Sequence, residues 1–471
     1  MSIALKILCF LLVSTACFGQ NPNIKRTNHW YFGNGAGLDF SNGIAVIDIS
    51  STALFSEACS VISDTSGNLI FYTDGEYVWD RNHRLMPNGF GMFGCNSSTQ
   101  GALIVPIPGN SMMYYIFTNS WGCIDSIGDL RFSVVDLSLN GGFGDIVSKN
   151  NFLFAPVTEQ INATLHKNEQ DIWLTTHELY TNKFITYLIT DIGIDTFPVI
   201  SAIGSIYPSL FPNCVVTGEL KFSPNGRKLA VAGSTCDESF NISELFDFDN
   251  ETGLISNFLS LPTDSFDYAL SFSQDNSKLY FGGGWPISHI VQYDLDNSTD
   301  SLIIDSKSLI FSSLNDIITG LQLAPDNKIY VARFNTDTLG IIQDPNNQGT
   351  NCNYINNGFF LNGLICYESL PDFPEFYFRT NTLSILPFIK QKKINVNPNP
   401  FKDFTLIEFE NSNRETYEFN LFTSEGIPVK TIVLNSNQIT LEREFLNSGI
   451  YIFNIKKEGI IFYIGKIIVI D

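Results

Sequence analysis

The sequence is poor in charge, and most of the charge it has is negative. Charged residues make up 16% of the 471 residues, and 48 Asp and Glu outnumber 27 Lys and Arg, which gives a net charge of −21. A surface of this sign repels phosphate backbones, so we expect no nucleic-acid partner. The same surface favours solubility and tolerates cations or neutral glycans.

Histidine and the sequence motifs of common catalytic sites are also scarce. Only five His are present, and none stands in an HExxH spacing. No GxSxG elbow, phosphate-binding loop or dinucleotide fingerprint occurs. We therefore expect no cofactor and no metal, and the sequence assigns no catalytic residue.

Long apolar runs are missing, apart from a short one near the N-terminus. It extends from Ile7 to Val13, follows Lys6 and precedes small residues, which is typical of a secretory signal peptide. The run is too short to cross a bilayer. We expect a signal peptide over residues 1–19, cleaved near Gly19, and no transmembrane segment; the small residues before Cys17 leave a lipoprotein signal as the alternative.

Cysteine is present without the spacing of a metal site. Two of the nine Cys fall in the signal peptide, and the other seven form no CxxC pair, so a zinc ribbon is not supported. Exported proteins commonly form disulfides. Proximity in sequence suggests the pairs Cys214–Cys236 and Cys352–Cys366, with buried free thiols as the alternative.

The residues that are abundant favour many short strands. Hydrophobic residues make up 44% and aromatic residues 13%, and Asn, Ser, Gly and Thr are frequent. Helical periodicity is absent, and strands joined by polar turns account for the mixture. A chain of this length also exceeds one ordinary core, so two or more domains are expected.

A repeat supports this interpretation. Three segments share a strand, a four-residue turn and a second strand: LKFSPNGRKLAVAG from Leu220, LSFSQDNSKLYFGG from Leu270 and LQLAPDNKIYVARF from Leu321. Gly226, Asn276 and Asn327 occupy the same turn position, where a left-handed backbone is expected. A recurrence of about 50 residues is typical of a propeller or solenoid.

A second element of the repeat is an Asp at the end of a strand, followed by a polar turn. It occurs at Asp80, Asp136, Asp191, Asp247, Asp294 and Asp344. A seventh unit looks divided between the chain ends, with its Asp at Asp39 and a last strand in LPDFPEFYF near Phe378. We predict an all-β fold with a β-propeller of seven blades, six or eight being the alternatives. The recurring Asp is better explained by its preference for turns than by calcium binding.

Several segments of this region resemble one family. NHWYFGNGAGLDF, ISDTSGNLIFYTDGEYVWDRNHRLMPNG, SSTQGALIVPIPGN and FSVVDLSLNGGFGDI resemble the propeller region of large exported surface proteins of Bacteroidota. The resemblance extends from about Asn28 to Phe378 and implies a surface or secreted protein without specifying an activity. We therefore place the propeller at residues 20–379.

The composition changes after the propeller. Residues 380–393 are predicted to be a linker, and residues 394–471 a small β-sandwich of about seven strands. The motifs NPNP, EGIPV, LNSGIY and GKIIV resemble the type A C-terminal sorting domain of the type IX secretion system. The matching signal residues are Asn397, Pro398, Asn399, Pro400, Gly426, Gly449, Tyr451, Gly465 and Lys466. The resemblance implies the type IX machinery and a surface sortase as partners, with export to the outer cell surface or medium.

The sequence leaves the function of the propeller itself open. The first hypothesis is a binding or adhesion module for a glycan or protein ligand, and the alternative is a secreted hydrolase of extracellular polysaccharide or protein. A structural role in gliding or envelope assembly is the remaining alternative. Carboxylates that converge at the channel mouth with raised pKa values would favour catalysis, whereas a flat or Asn-lined mouth would favour binding. Asp64, Asp74, Glu178 and Asp267 flank predicted inner strands, although solvated loops explain them more simply.

Overall fold

The computed structural model of the chain describes residues 22–51, 53–120, 128–208, 216–235, 240–262, 265–297, 299–380, 394–409, 411, 414–423, 428–444, 446–457 and 460–471. The expected signal peptide, Cys214, Cys236 and Gly426 lie outside the described residues. The chain divides into two compact units, Met1–Thr380 and Asn381–Asp471.

The described part of the first unit contains seven antiparallel sheets. Sheets one to three comprise β1 (His29–Phe32), β2 (Ala36–Asp39) and β3 (Val46–Ile47); β4 (Ser60–Ser63), β5 (Leu69–Thr73), β6 (Tyr77–Asp80) and β7 (Leu85–Phe90); and β8 (Ala102–Pro106), β9 (Met113–Asn119), β10 (Leu130–Asp136) and β11 (Asp145–Phe154). Sheet four comprises β12 (Val157–Leu165), β13 (Ile172–Glu178), β14 (Lys183–Thr190), β15 (Gly193–Ile194) and β16 (Val199–Ala202).

The remaining three sheets follow the same meander. Sheet five comprises β17 (Val216–Thr217), β18 (Leu220–Phe222), β19 (Lys228–Thr235), β20 (Asn241–Asp249) and β21 (Leu254–Ser260). Sheets six and seven comprise β22 (Asp267–Phe272), β23 (Lys278–Gly283), β24 (Ser288–Asp294) and β25 (Ser308–Ser313), then β26 (Ile318–Leu323), β27 (Ile329–Arg333), β28 (Thr338–Ile342) and β29 (Tyr354–Phe360). Short helical segments are α1 (Asp300–Asp305) and 3₁₀ turns at Pro22–Thr27, Asn140–Gly142, Gly349–Cys352 and Glu375–Phe378.

This arrangement is a seven-bladed β-propeller, as the repeat predicted. Each sheet is a blade, and consecutive blades pack face to face through their first strands. Strands buried on both faces need continuous apolar or small side chains, and β5, β19 and β27 have them. Outer strands such as β7 and β21 are mostly exposed, with two buried residues each, because one side of the strand faces solvent.

The predicted left-handed turn residues are confirmed. Gly226, Asn276 and Asn327 have φ of 66°, 68° and 65°, and their amides donate to the residue three positions earlier. These turns join the two innermost strands of blades five, six and seven. Gly and Asn tolerate this conformation at the lowest steric cost, which explains why they recur there.

Ring closure differs from the prediction in one respect. LPDFPEFYF supplies no strand: Asp372 makes a single parallel bridge to Ser60, and Glu375–Phe378 form a buried 3₁₀ turn. The chain bends inward there because Asn162 of β12 donates to the Phe373 carbonyl in the ring centre. Blade one therefore consists of three N-terminal strands. Residues 366–378, which we call the sealing segment, cover the junction between blades one and seven and enter the channel.

Aromatic packing holds the first and last blades together. The Trp30 ring of blade one lies 5.6 Å from Tyr330 of blade seven and 6.1 Å from Phe373 of the sealing segment. Phe40 contacts both Trp30 and Tyr330. All four side chains are almost completely buried, so this cluster joins the two ends of the ring.

The predicted Cys352–Cys366 disulfide is wrong. Both residues are buried free thiols, as is Cys59. Cys352 ends the 3₁₀ turn between β28 and β29, whereas the Cys366 backbone bridges Thr336 on another part of blade seven. Cys95 is disulfide-bonded, and its partner lies outside the described residues.

The second unit is a sandwich of two antiparallel sheets. Its seven described strands are β30 (Asn395–Asn397), β31 (Phe404–Glu408), β32 (Tyr417–Thr423), β33 (Pro428–Leu434), β34 (Gln438–Glu442), β35 (Gly449–Lys457) and β36 (Ile460–Val469). The sheet orders are β30-β31-β34 and β33-β32-β35-β36. Alternating side chains such as Phe419, Leu421, Phe453 and Ile455 form the core between them. Among all described residues, no helix combines the length and apolar character needed to cross a bilayer.

Replacing Trp30 tests the closing cluster. Trp30→Ala should lower the free energy of unfolding of the propeller by about 3–5 kcal/mol, because it opens a cavity among buried aromatic rings. Urea denaturation followed by circular dichroism measures this change. Trp285→Ala is the control: Trp285 is 56% exposed, and its loss should change stability by less than about 0.5 kcal/mol. Equal effects of the two changes would contradict the role of Trp30.

Candidate functional site

The innermost strands of blades two to seven begin on one face of the propeller, which we call the front face. Strand β1 of blade one runs the other way and ends on this face, where the Gly33 carbonyl accepts from the Phe55 amide. Because successive strands run in opposite directions, the turns joining second and third strands lie on this face. The connections between consecutive blades lie there too. Side chains from all blades can therefore converge where the channel opens.

Five residues form the mouth of the channel on this face: Glu57, Thr99, Glu159, Tyr268 and Glu368. The Thr99 hydroxyl lies 3.0 Å from Glu57 Oε1, 2.7 Å from Glu159 Oε2 and 2.7 Å from the Tyr268 hydroxyl. Tyr268 also donates to Glu57, and the Thr99 amide donates to Glu159. Residues of blades two, four and six thus meet at one threonine, and Glu368 of the sealing segment lies beside Glu57.

The connection between blades two and three carries Thr99 to this central position. Glu57 and Ala58 both donate their backbone amides to the Asn96 carbonyl, which fixes the connection against the start of blade two. Gly101 allows the close approach, since a Cβ there would lie 2.5 Å from the Cys95 carbonyl oxygen. The position of Thr99 is therefore set by backbone contacts.

Burial raises the pKa values of the mouth glutamates. Burial, reinforced by the charge of Glu159, raises the pKa of Glu57 well above its usual range. Burial raises the pKa of Glu159 to about 7 and also raises the pKa of Glu368. Glu57 and Glu159 are 4% and 3% exposed, while Glu368 and Tyr268 are half-buried. The convergence meets our criterion for catalysis, although the two most perturbed carboxyl groups have little access to solvent.

A second acidic group, the channel cluster, consists of Glu219, Lys221, Asp372 and Glu375. Lys221 Nζ lies 3.1 Å from Glu219 Oε2 and donates to the Leu321 carbonyl. Asp372 Oδ2 and Glu375 Oε1 are buried and have no hydrogen-bond partner in the described structure. The ammonium group of Lys221 is therefore the positive charge that these three carboxyl groups share.

Burial shifts the pKa values of the channel cluster, and Lys221 offsets the shifts only in part. Burial raises the pKa of Asp372 well above its usual range and that of Glu375 to about 7. Burial also raises the pKa of Glu219, although Lys221 opposes the change. With a pKa of about 7, Glu375 changes protonation state near neutral pH, and its deprotonation in the folded protein lowers folding stability.

Asp267 and His289 form a further buried pair beneath the front face. His289 Nε2 lies 2.6 Å from Asp267 Oδ1, and Ser243 donates to the other carboxylate oxygen. The carboxylate stands between the hydroxyl and the imidazole, so the imidazole is not placed to activate the serine. Asp267 and His289 both belong to blade six, and the hydrogen bond from Ser243 of β20 links this pair to blade five.

Exposed apolar side chains lie on three neighbouring loops of the front face. The front patch consists of Trp285, Ile287, Leu314 and Phe334, which are between 41% and 71% exposed. The loops are adjacent because Ile318 donates its amide to Ser288, and Phe334 donates its amide to Ile317. Blades six and seven thus present a cluster of large apolar groups on the face that carries the mouth.

The carboxylates singled out in the sequence belong to neither the mouth nor the channel cluster, and Asp267 is part of the buried pair with His289. Asp64 and Asp74 accept backbone amides in turns, and Glu178 lies 3.0 Å from Lys183 Nζ. Several aligned Asp likewise cap turns by accepting the amide two residues ahead, namely Asp39, Asp80, Asp136 and Asp294. Among the described residues, no group of three or more His, Cys, Asp or Glu is arranged to hold a metal ion.

The mouth glutamates were missed because they are scattered along the sequence: Glu57 precedes blade two, Glu159 is in blade four and Glu368 is in the sealing segment. A signal for the acidic interior exists, however. Glu57, Glu159, Glu219 and Asp267 each lie within three residues of the start of an innermost strand. Alignment of the repeat on these strands, instead of on the outer Asp, reveals the recurrence.

The motif residues of the second unit meet around the last strand. Asn399 contacts the backbone at Lys466, and Lys466 itself is exposed. Gly465 pairs with Phe453, whose ring leaves no space for a Cβ. Tyr451 is buried and donates to the Asn447 carbonyl. Gly449 is the first residue of β35, and a Cβ at this position would contact no neighbouring atom. Asn397 ends β30, and Pro398 and Pro400 lie in the exposed turn that follows.

Comparison with known families identifies this second unit. Residues 395–470 match the family model described as "Secretion system C-terminal sorting domain". The chain therefore carries a type IX sorting domain, and it is exported to the cell surface or beyond. No curated protein matches the chain.

Solved structures resemble the chain only distantly. A hydrazine synthase of Kuenenia stuttgartiensis shares 13% identity over 66% of this chain and 93% of its own, with a TM-score of 0.41. A putative 6-phosphogluconolactonase from Bacteroides uniformis shares 11% over 81% and 98%, with a TM-score of 0.38. The β-propeller domain of Cps50 (Swd1) from Myceliophteria thermophila shares 9% over 65% and 94%, with a TM-score of 0.38. These similarities carry no information on activity, and the sheet topology described above defines the fold.

The channel cluster predicts a pH-dependent stability. The pKa of Glu375 is raised from 4.5 to about 7 in the folded protein, so the contribution of this group to folding stability is fully present below pH 4.5 and is lost as the pH rises through 7. The loss from this group is on the order of 3 kcal/mol. Glu375→Gln should remove it, as measured by urea denaturation at pH 5 and pH 8. Glu251→Gln, on an exposed ion pair, is the control and should leave the pH dependence unchanged. An undiminished pH dependence in Glu375→Gln would contradict the assignment.

Proposed function

We propose that the propeller is a binding or adhesion module that the type IX sorting domain delivers to the outside of a Bacteroidota cell. The ligand is a glycan or a protein, and it lies on the front face. After export a surface sortase removes the sorting domain, and the body is released or anchored.

The front patch is the observation that carries this proposal. Large apolar groups exposed on adjacent loops mark interaction sites more often than isolated ones do. Trp285 and Phe334 offer ring faces on which the apolar face of a sugar or a side chain can stack. The half-buried Tyr268 and Glu368 at the mouth supply hydrogen-bonding groups on the same face of the propeller.

The electrostatics of the chain narrow the ligand class. The net charge of −21 disfavours phosphate-rich polymers. No Lys or Arg contributes to the pKa shifts of Glu57, Glu159 and Glu368, so anionic ligands find no counter-charge among these described groups. Neutral glycans, or protein surfaces with exposed donors, are the better match.

Hydrolysis is the second candidate, and the mouth is the observation that favours it. A Glu159 that is half-protonated near neutral pH has the titration expected of a general acid. Such a group must reach the bond that it cleaves, and Thr99 and Tyr268 cover the mouth carboxyl groups in this structure. We therefore rank binding first.

A binding screen with patch variants tests the proposal. The full chain is applied to an array of neutral glycans and to immobilised extracellular-matrix proteins, and bound protein is quantified. Trp285→Ala should weaken binding at least tenfold, because it removes the largest exposed ring of the patch. Phe152→Ala is the matched control, since Phe152 is equally exposed but lies on the outer strand β11.

Two results of the screen would contradict the binding proposal. One is equal binding by the Trp285→Ala and Phe152→Ala variants. The other is cleavage of a polymer in the screen that Glu159→Gln abolishes, which would establish the hydrolase instead.

Removing the sorting domain tests the export route. A chain lacking residues 394–471 should accumulate in the periplasm, because the type IX machinery has no signal to recognise. Cell fractionation and immunoblotting measure the distribution, with the full chain as reference. Normal arrival of the shortened chain outside the cell would refute this route.

A further inference from the structure

The exposed turn of the NPNP motif in the second unit lies along the last strand. The Asn399 side chain makes two hydrogen bonds with this strand. Its Oδ1 accepts from the Ile468 amide at 2.8 Å, and its Nδ2 donates to the Lys466 carbonyl at 2.8 Å. The amide group thereby forms the pair of bonds that a neighbouring strand would otherwise make.

The backbone continues this pairing beyond Asn399. The Phe401 amide donates to the Ile468 carbonyl at 3.0 Å, and the Ile470 amide donates to the Phe401 carbonyl at 2.9 Å. Phe401 is buried in the sandwich core, and Thr405 donates to the Pro398 carbonyl at 2.7 Å. The turn is thus fixed to the core at two points while it holds the strand.

A second contact holds the residues after the strand. Arg443 donates to the Ile470 carbonyl at 3.0 Å and to the Asp471 carboxylate at 2.9 Å. Ser448 donates to the same carboxylate at 2.6 Å. Residues 466–471 are therefore held from two directions. Strand β36 is the last in its sheet, and beyond its pairing with β35 its described backbone pairing is the single bridge of Val469 to Phe401.

We propose that Asn399 is a positioning residue of the sorting signal, acting through the last strand. Edge strands and chain ends are the parts of a sheet that open most readily. By bonding to both Lys466 and Ile468, Asn399 keeps this segment in register with β35. The exposed Lys466 side chain is then presented in a fixed orientation. Secretion recognises this ordered strand end, and the proposal rests on the sorting role of the second unit.

The test combines local exchange with export. Asn399→Ala in the full chain removes both hydrogen bonds, so deuterium uptake in the peptide covering residues 466–471 should accelerate about fivefold or more. Export to the medium should fall in parallel. Asn399→Asp should act similarly, because its carboxylate accepts from Ile468 but faces the Lys466 carbonyl without a proton to donate. Mass spectrometry and fractionation measure the two quantities.

Asn395→Ala is the matched control. Asn395 lies on β30 and donates to Glu408 at 3.2 Å, with no bond to β36, and its replacement should change neither quantity. The proposal is overturned if Asn399→Ala exports normally, or if uptake at 466–471 is unchanged. It is also overturned if the thermal midpoint of the whole second unit falls together with export, since that result would show a general structural role. Failure of the 394–471 deletion to block export would count against the sorting role itself, which is a separate outcome.

Discussion

The propeller depends on contact between its first and last blades, because an open ring would expose unpaired strand edges and apolar blade faces. Residues 370–378 do not close the ring by adding a strand to blade one. A cluster of buried aromatic side chains around Trp30 joins blades one and seven, and residues 366–378 cross to the channel and fill it. Closure and the occupation of the channel are therefore achieved by one segment.

This mode of closure explains the unusual electrostatics of the interior. The sealing segment brings Asp372 and Glu375 into a channel that already contains Glu219, and Lys221 is the counter-charge they share. Burial makes their protonated forms favourable. At the mouth, burial likewise raises the pKa values of Glu57 and Glu159, which contact Thr99. A ring held in this way is sensitive to pH, and its acidic interior is separate from the apolar patch on which we place the ligand.

The sequence predicted those features that depend on local backbone chemistry. The residue types at positions 226, 276 and 327 predicted left-handed turns, which the backbone dihedral angles confirm. The repeat to which these turns belong predicted the succession of blades. The sorting motifs were equally readable, because they are contiguous. The sequence did not predict that Glu57, Glu159 and Glu368 lie close together, because their proximity depends on the curvature of the whole ring. The 3₁₀ turn at residues 375–378 was read as a strand because an apolar run does not distinguish the two. The Cys352–Cys366 pairing failed because nearness in sequence does not determine distance across a blade.

The most direct test of this account compares two truncated chains by calorimetry. A chain ending at Thr380 retains the sealing segment, and the account predicts that the propeller transition of the full-length protein persists in it. A chain ending at Leu370 lacks Asp372, Phe373 and the buried 3₁₀ turn, and the same transition should be lost or fall by more than about 10 °C. An unchanged transition in the shorter chain would show that closure does not depend on residues 371–380 and would contradict the account.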